Sequence, residues 1–166
     1  MEIKSFVFSP FQENTYVLYD ETKECVIVDP GCYQDFEKQE LKQFISQESL
    51  VPKLLLNTHC HIDHVFGNKF VYDTYGLLPI IHKEDLTLLK GVDRVAHMYQ
   101  IPNVDESPLP EVYIEEGDVV EFGSTKLDVV FAPGHAPGHI VFVHHESNNI
   151  ISGDVLFKGS KIGRAH

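Results

Sequence analysis

The sequence predicts an α+β fold in which sheets pack together with helices outside. Three observations predict it. The first half alternates apolar strand-like runs with helical patterns, whereas from about Glu111 the chain is short β-branched stretches cut by turn residues. The composition, 43% hydrophobic and 23% charged, is that of a globular chain. Its 166 residues suit one domain, 1–166, large enough to bury a core.

The elements follow in order. "EIKSFVF" and "NTYVLYD" read as strands joined by the turn-like "SPFQE", and "CVIV" is a third strand stopped by "DPG". "YQDFEKQELKQFISQES" is the clearest helix, with Phe36, Leu41, Phe44 and Ile45 able to share its apolar side. "VPKLLLN" reads as a buried strand. A helix beginning near His64 is expected to run through "VFGNKFVYDTYG" to a C-cap at Gly76. "LPIIH" is a strand, and "KEDLTLLK" and "VDRVAHMYQ" are further helix. "EVYI", "DVVEF", "KLDVVF", "IVFVHH" and "NIISG" then supply the strand-rich half.

Several function classes are excluded at this level. A formal charge of −12 repels a phosphate backbone, so nucleic acid is not an expected partner. No apolar run approaches the ~20 residues of a membrane helix, so no membrane is expected. "MEIKSFVFSP" has no basic n-region followed by an apolar h-region, so export is not expected. Three cysteines without C-x-x-C spacing predict no disulfide framework and a reducing, cytoplasmic location.

The chemistry is concentrated in "LLLNTHCHIDHVFGN", three histidines and an aspartate directly behind an apolar strand. Each imidazole brings two nitrogens that need partners, so such clustering is costly for a mere core. In the extended stretch after the strand, side chains two apart point the same way, so His59 and His61 can converge on one ion. If a helix starts at Asp63 and His64, those two point to a second, adjacent position. Imidazole plus carboxylate without thiolate suits zinc, and equally iron or manganese. "FAPGHAPGHIVF" adds His135, with His139 either a ligand or a hydrogen-bonding partner of its loop. Asp154, in "NNIISGDVLF", ends an apolar strand where one carboxylate could bridge two metals. His82, His97, His144 and His145 read as ordinary satisfied or exposed side chains, and Cys60 as packing.

These motifs, H-x-H-x-D-H at residues 59–64, the "PGH" of His135 and the "GD" of Asp154, resemble the metallo-β-lactamase-fold hydrolases. Within them, "PFQENTYVL", "VDPG", "NTHCHIDH", "APGHAPGH" and "SGDVLF" are most similar to small glyoxalase II-like (hydroxyacylglutathione hydrolase-like) proteins, from Ser9 to about Arg164. The resemblance implies an αββα sandwich. It implies that His59, His61 and His135 hold a first metal, that Asp63 and His64 belong to a second, that Asp154 bridges, and that Asp29 supports the ligand loops. It also implies a departure: the family's last strand and helix, with a further histidine ligand, are expected to be missing after "GSKIGRAH", along with the larger enzymes' glutathione-binding helical domain.

On this reading the expected activity is thioester hydrolysis by a metal-bound hydroxide, with zinc in one or two sites and Asp63 orienting the nucleophile. Arg164 and Lys161 would hold a substrate carboxylate or lie in a solvated tail. Two rivals accompany it. One is a mononuclear iron persulfide dioxygenase-like enzyme using His59, His135 and Asp154, and the other a truncated metal-binding domain without activity. An exposed C-terminal sheet edge would further favour a homo-oligomer.

Overall fold

A computed structural model describes residues 1–157 and 160–161, of which 157, 160 and 161 are described by backbone alone. β1 (Glu2–Phe8), β2 (Glu13–Tyr19), β3 (Glu24–Val28), β4 (Val51–Leu56) and β5 (Pro79–Ile80) form one sheet in that order. β1 to β3 are antiparallel, while β3, β4 and β5 run parallel. The second sheet is an antiparallel meander of β6 (Val119–Phe122), β7 (Thr125–Phe131), β8 (Ile140–His144) and β9 (Asn149–Ile151). β10 (Leu156–Phe157) and β11 (Ser160–Lys161) pair with each other.

Alternation of side chains explains how the layers stack. On β2 and β3, Leu18, Val26 and Val28 face the second sheet, where Phe122, Leu127, Val129, Ile140 and Phe142 meet them. Their neighbours Val17, Cys25 and Ile27 face outward onto Leu41 and Ile45 of α1 (Asp35–Gln47) and Val71 of α3 (Asn68–Tyr75). β3 is apolar throughout because both its faces are covered. On the opposite face of the second sheet, Val119, Val130 and Ile150 are exposed.

Local expectations are corrected in three places. Phe36 is 67% exposed, and Glu37 takes its place on the buried side of α1. The Glu37 carboxylate accepts the backbone N–H groups of Ser9, Tyr33 and Gln34, closing a capping box at the helix start. The helix expected from His64 to Gly76 is two pieces, α2 (Ile62–Val65) and α3, because Gly67 turns its N–H to the carbonyl of Pro30. "EVYI" contributes only a bridge between Tyr113 and Ile81. A 3-10 turn (Lys83–Asp85), α4 (Leu86–Lys90) and α5 (Val92–Met98) occupy the stretch between.

Toward the C-terminus, β9 is an outer strand of its sheet among the described residues. Arg164 and the side chain of Lys161 lie outside the described residues. No helix among those described is long and apolar enough to cross a membrane, and all three cysteines are buried and free.

The two sheets are tied at the end where β3 begins. Asp20 accepts the backbone N–H of Thr22 and Ser124 and the hydroxyls of Thr22 and Thr125, spanning the β2–β3 and β6–β7 turns. Burial works to raise its carboxyl, but the hydrogen bonds from Thr22, Thr125 and Ser124 outweigh it and hold it at about 2 against an ordinary 3.8. A depressed folded-state pKa stabilises above the unfolded value and is lost as the pH falls from about 4 to about 2. Asp20→Asn is therefore expected to cost about 1–2 kcal/mol at pH 7. Urea unfolding of the two proteins should converge as the pH drops through that window, and a pH-independent difference would refute the assignment.

Candidate metal centre

Because β3, β4 and β5 run parallel, their carboxyl ends share one edge, and the β7–β8 loop and the end of β9 reach the same edge. Onto it come the chain after β4, residues 57–64, the loop 132–139 and Asp154. Thr58 C=O accepts the N–H of Ile140, so the two sheets are joined at the site itself. Asn57 is buried and pairs its amide with Asn68, which in turn donates to Ser107.

One ring nitrogen of each of His59, His61 and His135 lies within 4.8 Å of the other two. His61 Nδ1 is 3.0 Å from His135 Nε2. Two ligands at ~2.0 Å from one tetrahedral ion stand about 3.3 Å apart, so the pair needs little adjustment to share one. Asp154 divides its oxygens. Oδ2 lies 3.0 Å from His135 Nε2 and 3.7 Å from His59 Nε2, while Oδ1 lies 3.4 Å from His64 Nε2. Asp63 Oδ2 is 3.6 Å from that same His64 nitrogen. The structure thus gathers all six predicted site residues, His59, His61, Asp63, His64, His135 and Asp154, at one edge.

The tautomer of His59 follows from its neighbours. Asp29 accepts both the backbone N–H and the hydroxyl of Thr58, at 2.7 and 2.6 Å. Having given its only proton to Asp29, the Thr58 hydroxyl must accept from His59 Nδ1, 3.1 Å away. His59 Nε2 is then a bare lone pair, buried and without a hydrogen-bond partner. A buried acceptor left open is costly unless something occupies it, and a cation suits this one. Burial and the neighbouring His64 and His139 push His59 protonation far down, and burial with His135 lowers His61. Both rings are therefore neutral, as ligation requires.

His64 differs. Burial opposes its charge, but Asp29, which accepts from Nδ1 at 3.0 Å, with Asp154 and Glu13 raises it well above the usual imidazole range, so Nε2 would have to give up its proton to hold an ion. Burial works to raise Asp154, but its contact with His64, with His135 and His139 nearby, lowers it. His139 is decided as a hydrogen-bonding residue: its Nε2 accepts the backbone N–H of Asp154 at 3.1 Å, and burial drives it down to about 4. Gly153 makes that contact possible, for a Cβ there would lie 2.5 Å from Thr58 Oγ1 and 2.7 Å from His139 Nε2, at a φ of +52°. His82, His144 and His145 are satisfied by Glu84 N–H, Ser147 and Asp128. Cys60 packs away from the site with Val65, Ile81, Leu89 and Val92.

Three residues escape a sequence reading. Glu13 opens a strand like any solvated acid, yet it is buried, 3.7 Å from His64 Nδ1, with its carboxyl raised by burial and one oxygen unpartnered. Asp85 looks like an acid in a helix's first turn, yet it is wholly buried. Tyr16 lines a cavity of about 220 Å³ with Asn14, His64, Ser152, Gly153 and Asp154, and burial keeps its phenol protonated.

Comparison with known proteins agrees with this arrangement. A sequence model of the metallo-beta-lactamase superfamily matches residues 8–163. The chain is 32% identical over 165 residues to hydroxyacylglutathione hydrolase GloC of Haemophilus influenzae, covering 99% of this chain and 76% of that one. The crystal structure of BLEG-1 B3 metallo-beta-lactamase superposes with a TM-score of 0.83 at 30% identity, covering 98% and 76% of the two chains. The crystal structure of TTHA1623 in a di-iron-bound form gives 0.82 at 34% identity, covering 97% and 76%. The resemblance and the fold class read from the sequence are both borne out.

Proposed function

Because this chain belongs to the metallo-beta-lactamase superfamily of metal-dependent hydrolases, we propose that it hydrolyses thioesters of the hydroxyacylglutathione type. The observation that carries the reading is the open, buried lone pair of His59 Nε2, facing His61, His135 and Asp154. Similarity to the hydroxyacylglutathione hydrolase of Haemophilus influenzae directs it to thioesters.

His59, His61 and His135 would hold a first ion, Asp63 and His64 a second, with one oxygen of Asp154 toward each. When bound, such an ion lowers the pKa of a coordinated water and polarises a carbonyl. Zinc is the first choice on donor type, with iron close behind because a relative of 34% identity is described in a di-iron form. Asp63, 22% exposed at its side chain, would orient the attacking water and take its proton as well as help hold the second ion. A thiolate leaves without a dedicated acid, so no further proton donor is required. The cavity beside Asn14 and Tyr16 offers room next to the second position. A glutathione-derived substrate fits a cytoplasmic setting, where free buried thiols persist.

The two-histidine, one-carboxylate set of His59, His135 and Asp154 also suits a single iron and oxygen chemistry. Protein loaded separately with zinc, iron and manganese should hydrolyse a 2-hydroxyacyl thioester of glutathione. Oxygen uptake with glutathione persulfide, or opening of a β-lactam, in samples inert toward that thioester would overturn the proposal.

A further inference from the structure

We propose that Asp85 is a positioning residue, a clamp that holds the two histidine-bearing loops at the separation one ion needs. The inference rests on the reading of His59, His61 and His135 as ligands of that ion. Asp85 closes the 3-10 turn Lys83–Asp85 and has no exposed surface. Its Oδ2 accepts the N–H of Cys60 at 2.7 Å, and its Oδ1 accepts the N–H of Gly138 at 2.6 Å. Cys60 lies between His59 and His61, and Gly138 lies three residues beyond His135. One carboxylate therefore bridges the loop leaving β4 in the first sheet and the β7–β8 loop of the second. Both bonds are charge-assisted and short, which makes them stiff.

The surroundings are arranged to keep this carboxylate in place. A Cβ on Gly138 would sit 2.7 Å from the Asp85 nitrogen and 2.8 Å from its Oδ1, so only glycine permits the approach. Asp85 N–H donates to the carbonyl of His82, whose ring accepts from Glu84 N–H and stacks on Phe131 at 4.5 Å. The turn is thereby fastened to the end of β7. On its other side, Leu89 and Val92 of the following helices share one buried cluster with Cys60. The histidines meet where these two fastened loops approach, at the 3.0 Å gap between His61 and His135. A buried carboxylate with two backbone donors is costly to maintain merely as packing, and apart from the His61–His135 contact it serves, no other side chain among the described hydrogen bonds joins both loops.

Asp85→Asn keeps the shape but offers one acceptor oxygen, and its NH2 turns against the other N–H. The loops should part, and the affinity for zinc, measured by chelator competition, should fall roughly 10- to 100-fold. The visible spectrum of the cobalt-loaded variant should change with the altered ligand geometry. Asp20→Asn, which loosens the opposite end of the sandwich, serves as a matched control and should bind zinc as tightly as the parent. Unchanged zinc affinity in Asp85→Asn, or an equal loss in Asp20→Asn, would overturn the clamp. If Asp85→Asn does not fold, Gly138→Ala strains the same contact, and unaltered affinity there would overturn it equally. A parent protein whose zinc binding is indifferent to His61→Ala would instead refute the ligand reading, and the clamp with it.

Discussion

His61→Ala is expected to remove thioester hydrolysis by roughly three orders of magnitude or more while leaving the chain folded. His61 is the predicted ligand whose removal disturbs least else. It is half-buried, and its described hydrogen-bond partner is His135, another predicted ligand. Truncation therefore leaves no buried backbone group unpaired, and stability should change by no more than about 1 kcal/mol. Burial and His135 already keep the ring neutral, so the loss is of a ligand and not of a charge. Turnover, bound zinc and far-UV circular dichroism on one preparation test the claim. Wild-type turnover in the variant, or in protein stripped of metal, would end the hydrolytic mechanism.

Asp29→Ala should have the largest effect on the fold, about 3–5 kcal/mol, a large part of a typical total of 5–15 kcal/mol. Asp29 accepts three buried donors, Thr58 N–H, the Thr58 hydroxyl and His64 Nδ1, and alanine would strand them all. It also occupies a φ of +49°, which aspartate tolerates better than alanine. A chemical consequence follows from the same hydrogen bonds. With Asp29 gone, the Thr58 hydroxyl can donate to His59 Nδ1, which moves the imidazole proton to Nε2 and blocks the lone pair. Asp29→Asn keeps one acceptor and should be milder on both counts. Urea unfolding beside zinc titration measures them, and a loss of under 1 kcal/mol with parental zinc affinity would contradict this role.

The sequence by itself determined whatever depends on short spacing. Apolar, β-branched runs bounded by turn residues made β2, β3 and β7 legible, and the 3.6-residue pattern made α1 legible around Leu41 and Ile45. The H-x-H-x-D-H run, His135 and Asp154 were legible because metal donors are chemically rare in strand-end loops. What only the tertiary structure decided lies in contacts between residues far apart in the chain. Phe36 faces solvent because Glu37 finds backbone donors from Ser9, 28 residues away. His139 supports Asp154, and is not a free ligand, because Gly153 brings that loop against it. The bare nitrogen of His59 depends on Asp29, 29 residues before the threonine it engages, and Asp85 reaches Gly138 across 53 residues. A buried acid and a solvated acid read alike in a sequence. Their difference is the set of N–H groups that packing delivers to them, and that set exists only once the loops of both sheets have met.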